Sequence, residues 1–196
     1  SGPYAVHTLG DNETIAKLAT GVKRIELPDE FNFIRIYQKL AQNGNGGYAE
    51  AALQQLSQIS EDRQQYPKAA EYWRENIERF GPGQSDYKRQ RLSQIVGNWG
   101  RFENVQSQPA HTGATVEYRF RNGNKVHFTA HRIQVDKLLD DVKAYLKSAP
   151  NQLDWQNVQI DNIGYRLVQQ NQEKYRGEQV AQWDLDLQPR EKHFDR

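Results

Sequence analysis

The sequence predicts an α+β chain: antiparallel helical hairpins over residues 1–108, then a β-rich unit with an embedded helix over residues 109–196. Three observations carry that expectation. Apolar residues recur at helical spacing five times before residue 100. Asn43-Gly-Asn-Gly-Gly47 and Gly81-Pro-Gly83 interrupt that pattern with strong breakers. After Gln106-Ser-Gln-Pro109 the apolar period changes from 3.6 to 2.

The first expected helix carries Ile15, Leu18, Ala19 and Val22, with Asp11 or Asn12 as its cap and Gly21 near its end. The second opens at Leu27-Pro-Asp-Glu30, because proline suits the first helical turn and acids complement the helix dipole. Its core stripe reads Phe33, Ile36, Tyr37 and Leu40, widened by Phe31 and Ile34. The third carries Ala49, Ala52, Leu53, Leu56 and Ile59, and the polar turn Ser60–Gln65 leads to the fourth. That helix carries Tyr66, Ala69, Ala70, Trp73, Ile77 and Phe80. The fifth, capped by Ser85, carries Leu92, Ile95, Val96 and Trp99.

The third and fourth helices resemble one degenerate tetratricopeptide-type repeat. With Glu50 as its first position, Leu53, Leu56, Ala69, Trp73 and Ile77 fit the pattern, whereas Asn76 stands where alanine is usual. Such a pair either presents a peptide-binding groove or braces a neighbouring domain.

In the second part Val116, Tyr118 and Phe120 alternate with polar residues, as do Val126, Phe128 and Ala130. The intervening Asn122-Gly123 predicts a type I′ hairpin joining them. A helix over Val135, Leu138, Leu139, Val142, Tyr145 and Leu146 ends before Pro150. Ile160, Ile163, Leu167 and Val168 fit a short helix, and Ala181, Trp183, Leu185 and Leu187 a strand with one wet face. Three strands close neither a sandwich nor a barrel.

Charge narrows the partners. The 26 Lys and Arg balance 25 Asp and Glu, and dividing the chain after Gln108 leaves both parts near neutral. A non-specific nucleic-acid binder needs a net basic face, so nucleic acid is not an expected partner. The absence of cysteine removes thiolate nucleophiles, thiolate metal sites and disulfides. No transmembrane segment is expected, since no apolar run approaches the roughly 18 residues a span requires. The chain opens Ser-Gly-Pro without methionine, which reads as a piece of a longer product.

No catalytic, cofactor-binding or metal-binding residue is assigned, and no cofactor is implied. His127 and His131 have the spacing of a zinc helix but sit in an alternating segment, where such positions lie roughly 13 Å apart. Asp184 and Asp186 share a strand face without a facing partner. Arg119, Arg121, Lys125 and His127 make the outer face of the expected hairpin basic, which either is simply solvated or meets an acidic surface. Asn43–Gly47 lacks the Gly-Lys-Ser/Thr of a phosphate loop and reads as a linker.

Three stretches together resemble the N-terminal region of large bacterial alpha-2-macroglobulin-like proteins. They are Leu18–Arg24 with Leu27–Asn32, Tyr118–Phe128 with Ala130–Ile133, and Ile163–Val168 through Tyr175 to Val180–Trp183. The resemblance implies a macroglobulin-like β unit over 109–196, preceded by helical repeats; either the helices cover its sheet or further strands lie beyond these residues. It also implies a non-enzymatic scaffold module of an endopeptidase inhibitor, a protease trap. Its partners would be the other domains of the same full-length protein, with proteases the targets of the whole molecule. The location implied is secreted, periplasmic or envelope-anchored. A cysteine–glutamine thioester of that family cannot lie in these cysteine-free residues. The alternative function is an independent helical-repeat module for protein–protein interaction.

Overall fold

A computed structural model describes residues 5–104, 108–109, 111–148, 151–158 and 173–196. The fold is mixed α+β, with helices and small two-stranded antiparallel sheets. It separates into two compact units: Ser1–Asn124 with Gln188–Arg196, and Lys125–Leu187. The change of apolar period at 108–109 is not where they divide. Strand β3 (Trp99–Phe102) precedes that point and pairs with β4 (Tyr118–Arg121) beyond it, so the ladder carries the first unit onward.

The first unit opens with a correction. Residues 11–22 form no helix; β1 (Glu13–Leu18) and β2 (Gly21–Glu26) make a hairpin, paired from Leu18↔Gly21 to Glu13↔Glu26. Thr14, Ile15, Val22 and Ile25 are β-branched and favour extended backbone. Gly21 takes a φ of 103°, which lets the chain reverse. Glu13 and Arg24 sit diagonally across the ladder and form an ion pair of 2.5 Å. Ile15, Leu18, Ala19 and Val22 keep helical spacing, yet the ladder puts Ile15 and Val22 on one face, Leu18 on the other and Ala19 in the turn, so cross-strand pairing overrides the period here.

Helix α1 (Phe33–Asn43) starts later than Pro28 suggests. Pro28 instead begins a turn whose carbonyl accepts from the Phe31 and Asn32 amides. Asn32 is the true cap, its Oδ1 accepting from the Ile34 and Arg35 amides. The buried stripe is corrected too. Ile34 and Ala41 enter the core with Tyr37 beside them, while Phe33, Ile36 and Leu40 face outward.

Helices α2 (Gly47–Asp62), α3 (Tyr66–Phe80) and α4 (Tyr87–Val96) follow, each packing on its predecessor. Ala52, Leu53 and Leu56 meet Ile34 and Ala41 in one cluster; Ala69, Ala70, Trp73 and Ile95 form a second. A large apolar side chain in such a cluster contributes roughly 1.5–3 kcal/mol. Ser85 caps nothing: it lies in a 3-10 turn, Gln84–Asp86, just before α4. Trp99 has left the helix for β3, where it is 37% exposed and both Arg101 and Arg121 lie over its ring. Along the other edge of β4, Phe120 and Arg196 exchange backbone hydrogen bonds of 3.0 and 2.9 Å. Phe194 packs edge-on against His7 and Tyr66.

The Asn122-Gly123 hairpin does not form. β4 pairs with β3, and β5 (Lys125–Ile133) pairs with β6 (Arg176–Asp186). Asn122 alone takes positive φ, 61°, whereas a type I′ turn needs it at both central residues. The Asn122 amide nitrogen donates to the carbonyls of Ile95 and Gly97 at the end of α4, which holds it against the helical part.

In the second unit, α5 (Val135–Lys147) follows β5 and buries Leu138. Tyr175 is buried, and its hydroxyl donates to Asp141 on α5 at 2.7 Å. Trp155–Val158 forms a single helical turn. The expected helix at 160–168 lies outside the described residues. The alternation read for residues 126–130 and 181–185 holds: Val126 pairs with Leu185, Phe128 with Trp183 and Ala130 with Ala181 on one face.

Candidate functional site

The polar face of the β5–β6 ribbon assembles Lys125, His127 and Asp184. Asp184 Oδ1 lies 2.5 Å from His127 Nδ1, and its Oδ2 lies 3.0 Å from Lys125 Nζ. The register places His127 directly opposite Asp184. The hydrogen bond from His127, then that from Lys125, holds the Asp184 carboxyl below its ordinary range. Asp184 in turn raises the Lys125 ammonium. All three side chains are about half exposed, so the cluster pins the register of two strands in water rather than creating a dry reactive centre. Asp186 faces Lys125 in register. His131 sits past a register shift, its Nδ1 3.3 Å from the Gly177 carbonyl oxygen. Among the described residues no group of three or more His, Asp or Glu is arranged to hold a metal ion.

The expected basic face is split. Arg119 and Arg121 lie in the first unit, not with Lys125 and His127 in the second. Arg119 pairs with Glu103 at 2.7 Å, and Arg121 lies over Trp99. Asn43–Gly47 joins α1 to α2, as a linker should.

Two polar arrangements in the first unit were not singled out by the sequence pattern. Lys88 on α4 is fully buried and donates to Glu50 Oε1 at 2.6 Å. Asn76, also fully buried, donates to the Glu50 backbone carbonyl. Asn76 in the position where a repeat carries alanine was the available sign of a polar interior. The second arrangement joins His193 Nδ1 to Asn122 Oδ1 at 2.7 Å. Burial, then the nearby Arg74 and Arg121 cations, lower the His193 pKa.

A groove of about 440 Å³ runs between α3 and α4. Its floor is Ile77, Leu92 and Val96, and Arg74, Glu78 and Arg89 border it. Apolar lining with a charged border suits a protein segment better than a polar small molecule. Among the described residues, no helix is long and apolar enough to cross a membrane. No protein-family model, no curated protein and no solved structure matches the chain.

Proposed function

We propose that the chain is a non-enzymatic scaffold module of an alpha-2-macroglobulin-like endopeptidase inhibitor, acting with the other domains of a secreted or envelope-held protease trap. One observation supports this most. The β5–β6 ribbon has a face of Val126, Phe128, Ala130, Ala181, Trp183 and Leu185, yet Trp183 and Leu185 remain 45% and 50% exposed. Two strands alone are marginal in water, and a sheet with one apolar face ordinarily forms one layer of a two-layer β unit. Residues of the family resemblance, Tyr118–Phe128, Ala130–Ile133 and Val180–Trp183, fall in and around β4, β5 and β6.

The test compares the full-length protein with the isolated chain against a panel of endoproteases and large protein substrates. The full-length protein should protect those substrates stoichiometrically, and the isolated chain should leave cleavage unchanged. Inhibition by the chain alone, or no protection by the full-length protein, overturns the reading.

The α3–α4 groove supports a second reading, an independent helical-repeat module that binds a protein partner. Partner binding lost in Leu92→Glu, in a full-length protein that traps no protease, would favour it.

A further inference from the structure

Helix α1 has two apolar faces. Ile34, Tyr37 and Ala41 pack toward α2. Phe33, Ile36 and Leu40, at i, i+3 and i+7, form a second row that meets solvent, extended by Phe31 just before the helix. Phe31 is 66% exposed and Ile36 45%. The row amounts to on the order of 400 Å², the size of the largest apolar patch on an ordinary monomer. It lies at one end of the series α1–α2–α3–α4, where a helical array in water needs a polar outer face.

We infer that this face joins two copies of the chain, with α1 antiparallel to its counterpart across a two-fold axis near Ile36. The charges select that arrangement. No charged residue of α1 falls within the row, and at its Phe33 end the Arg63 guanidinium lies 5.7 Å from the ring centroid. Exposed Glu30 and Asp29, the latter ion-paired with Arg35 of its own chain at 3.6 Å, precede or flank the start of α1, and exposed Lys39 lies near its other end. An antiparallel pairing brings Lys39 of each copy toward the acidic end of the other; a parallel pairing sets like charges side by side. The antiparallel pair also opposes the two helix dipoles. Because the same patch serves both copies, the assembly closes as a dimer rather than growing into a filament.

The proposal is independent of the protease-trap reading, and its test uses no protease. Sedimentation of the 196-residue chain should show a dimer at concentrations up to about 100 µM. Ile36→Glu should weaken the dimer at least about tenfold, with an unchanged circular dichroism spectrum because Ile36 lies outside the core. Lys39→Glu should weaken it, and adding Glu30→Lys should restore it. The chain has no cysteine, so Ile36→Cys supplies one defined thiol. A short bis-maleimide should join two Ile36→Cys chains and leave a Gln90→Cys control unjoined. A monomer throughout that range, a dimer indifferent to Ile36→Glu, or no restoration by Glu30→Lys overturns the proposal.

Discussion

His193 holds its proton on Nδ1, because Asn122 leaves it no alternative. The Asn122 Nδ2 donates to the Ile95 and Gly97 carbonyls, so its Oδ1 is an acceptor, and His193 Nδ1 lies 2.7 Å from that oxygen. Burial and two arginines lower the His193 pKa in the folded chain, whereas an unfolded histidine titrates near 6.5. Between the folded and unfolded values the unfolded chain binds more protons. This part of the stability is therefore complete above about pH 6.5 and is lost as pH falls through the folded value. The stability difference between the native chain and His193→Gln should shrink from about pH 7.5 to pH 5, measured by urea unfolding. A constant difference would show that His193 titrates alike in both states.

Asn122→Ala deprives two carbonyls and one imidazole of their partner. It should cost about 1–3 kcal/mol in urea unfolding, the penalty of leaving inward-facing polar groups unsatisfied.

Two glycines should respond oppositely to alanine. A Cβ on Gly123 would meet nothing nearer than Asn98 Cγ at 4.0 Å, and its φ is not positive, so Gly123→Ala should stay within about 0.5 kcal/mol of native. Gly83 has a φ of 76°, and a Cβ there would lie 2.3 Å from the Tyr87 ring. Gly83→Ala should destabilise by about 1–3 kcal/mol. Equal melting temperatures for the two variants would contradict the turn geometry.

The contrast between these glycines also marks what could be read from the chain. Gly81-Pro-Gly83 ends α3 by local backbone chemistry, and such endings are legible. The strongly periodic cores of α2 and α3 are legible for the same reason. Asn122-Gly123 reads as a hairpin because its local chemistry allows one, yet long-range hydrogen bonds to α4 give the asparagine another use. Ile15, Leu18, Ala19 and Val22 have helical spacing, and only cross-strand pairing, which no local pattern contains, overrides it. On α1, Phe33 and Ile34 are equally apolar, so the residues themselves do not say which face meets α2. The polar residues nearest to chemistry, His127 and Asp184, are 57 positions apart, and their meeting follows from a strand register no local pattern contains.

Lys88 and Glu50 should be unequal partners. Lys88 is fully buried, whereas Glu50 reaches solvent. Glu50→Ala strands a buried ammonium and should cost about 3–5 kcal/mol. Lys88→Met leaves a carboxylate that water can reach, and its cost should be clearly smaller. Denaturant midpoints for the two variants decide it, and equal losses would contradict this asymmetry.

Of the four tryptophans, Trp73, Trp99 and Trp183 each fall on the apolar face of an expected element, and they separate in the same way. Trp73 is buried and donates to Glu61 Oε1 at 2.7 Å, so Trp73→Ala should cost about 3–5 kcal/mol. Trp183→Ala should cost much less in the isolated chain, because nearly half of that ring already meets water. Thermal unfolding of both variants provides the check.

The chain leaves the first unit at Asn124 and re-enters it at Gln188. Synthesis runs from the N-terminus, so the ribosome completes Lys125–Leu187 before it makes the residues that seat Phe194 against His7 and Tyr66. The helical part must wait, with that aromatic seat empty, while the inserted unit emerges. Its closure is therefore timed by the emergence of Gln188–Arg196, and a ribosome stalled within the insert would hold a first unit whose β4 still lacks its bond to Arg196.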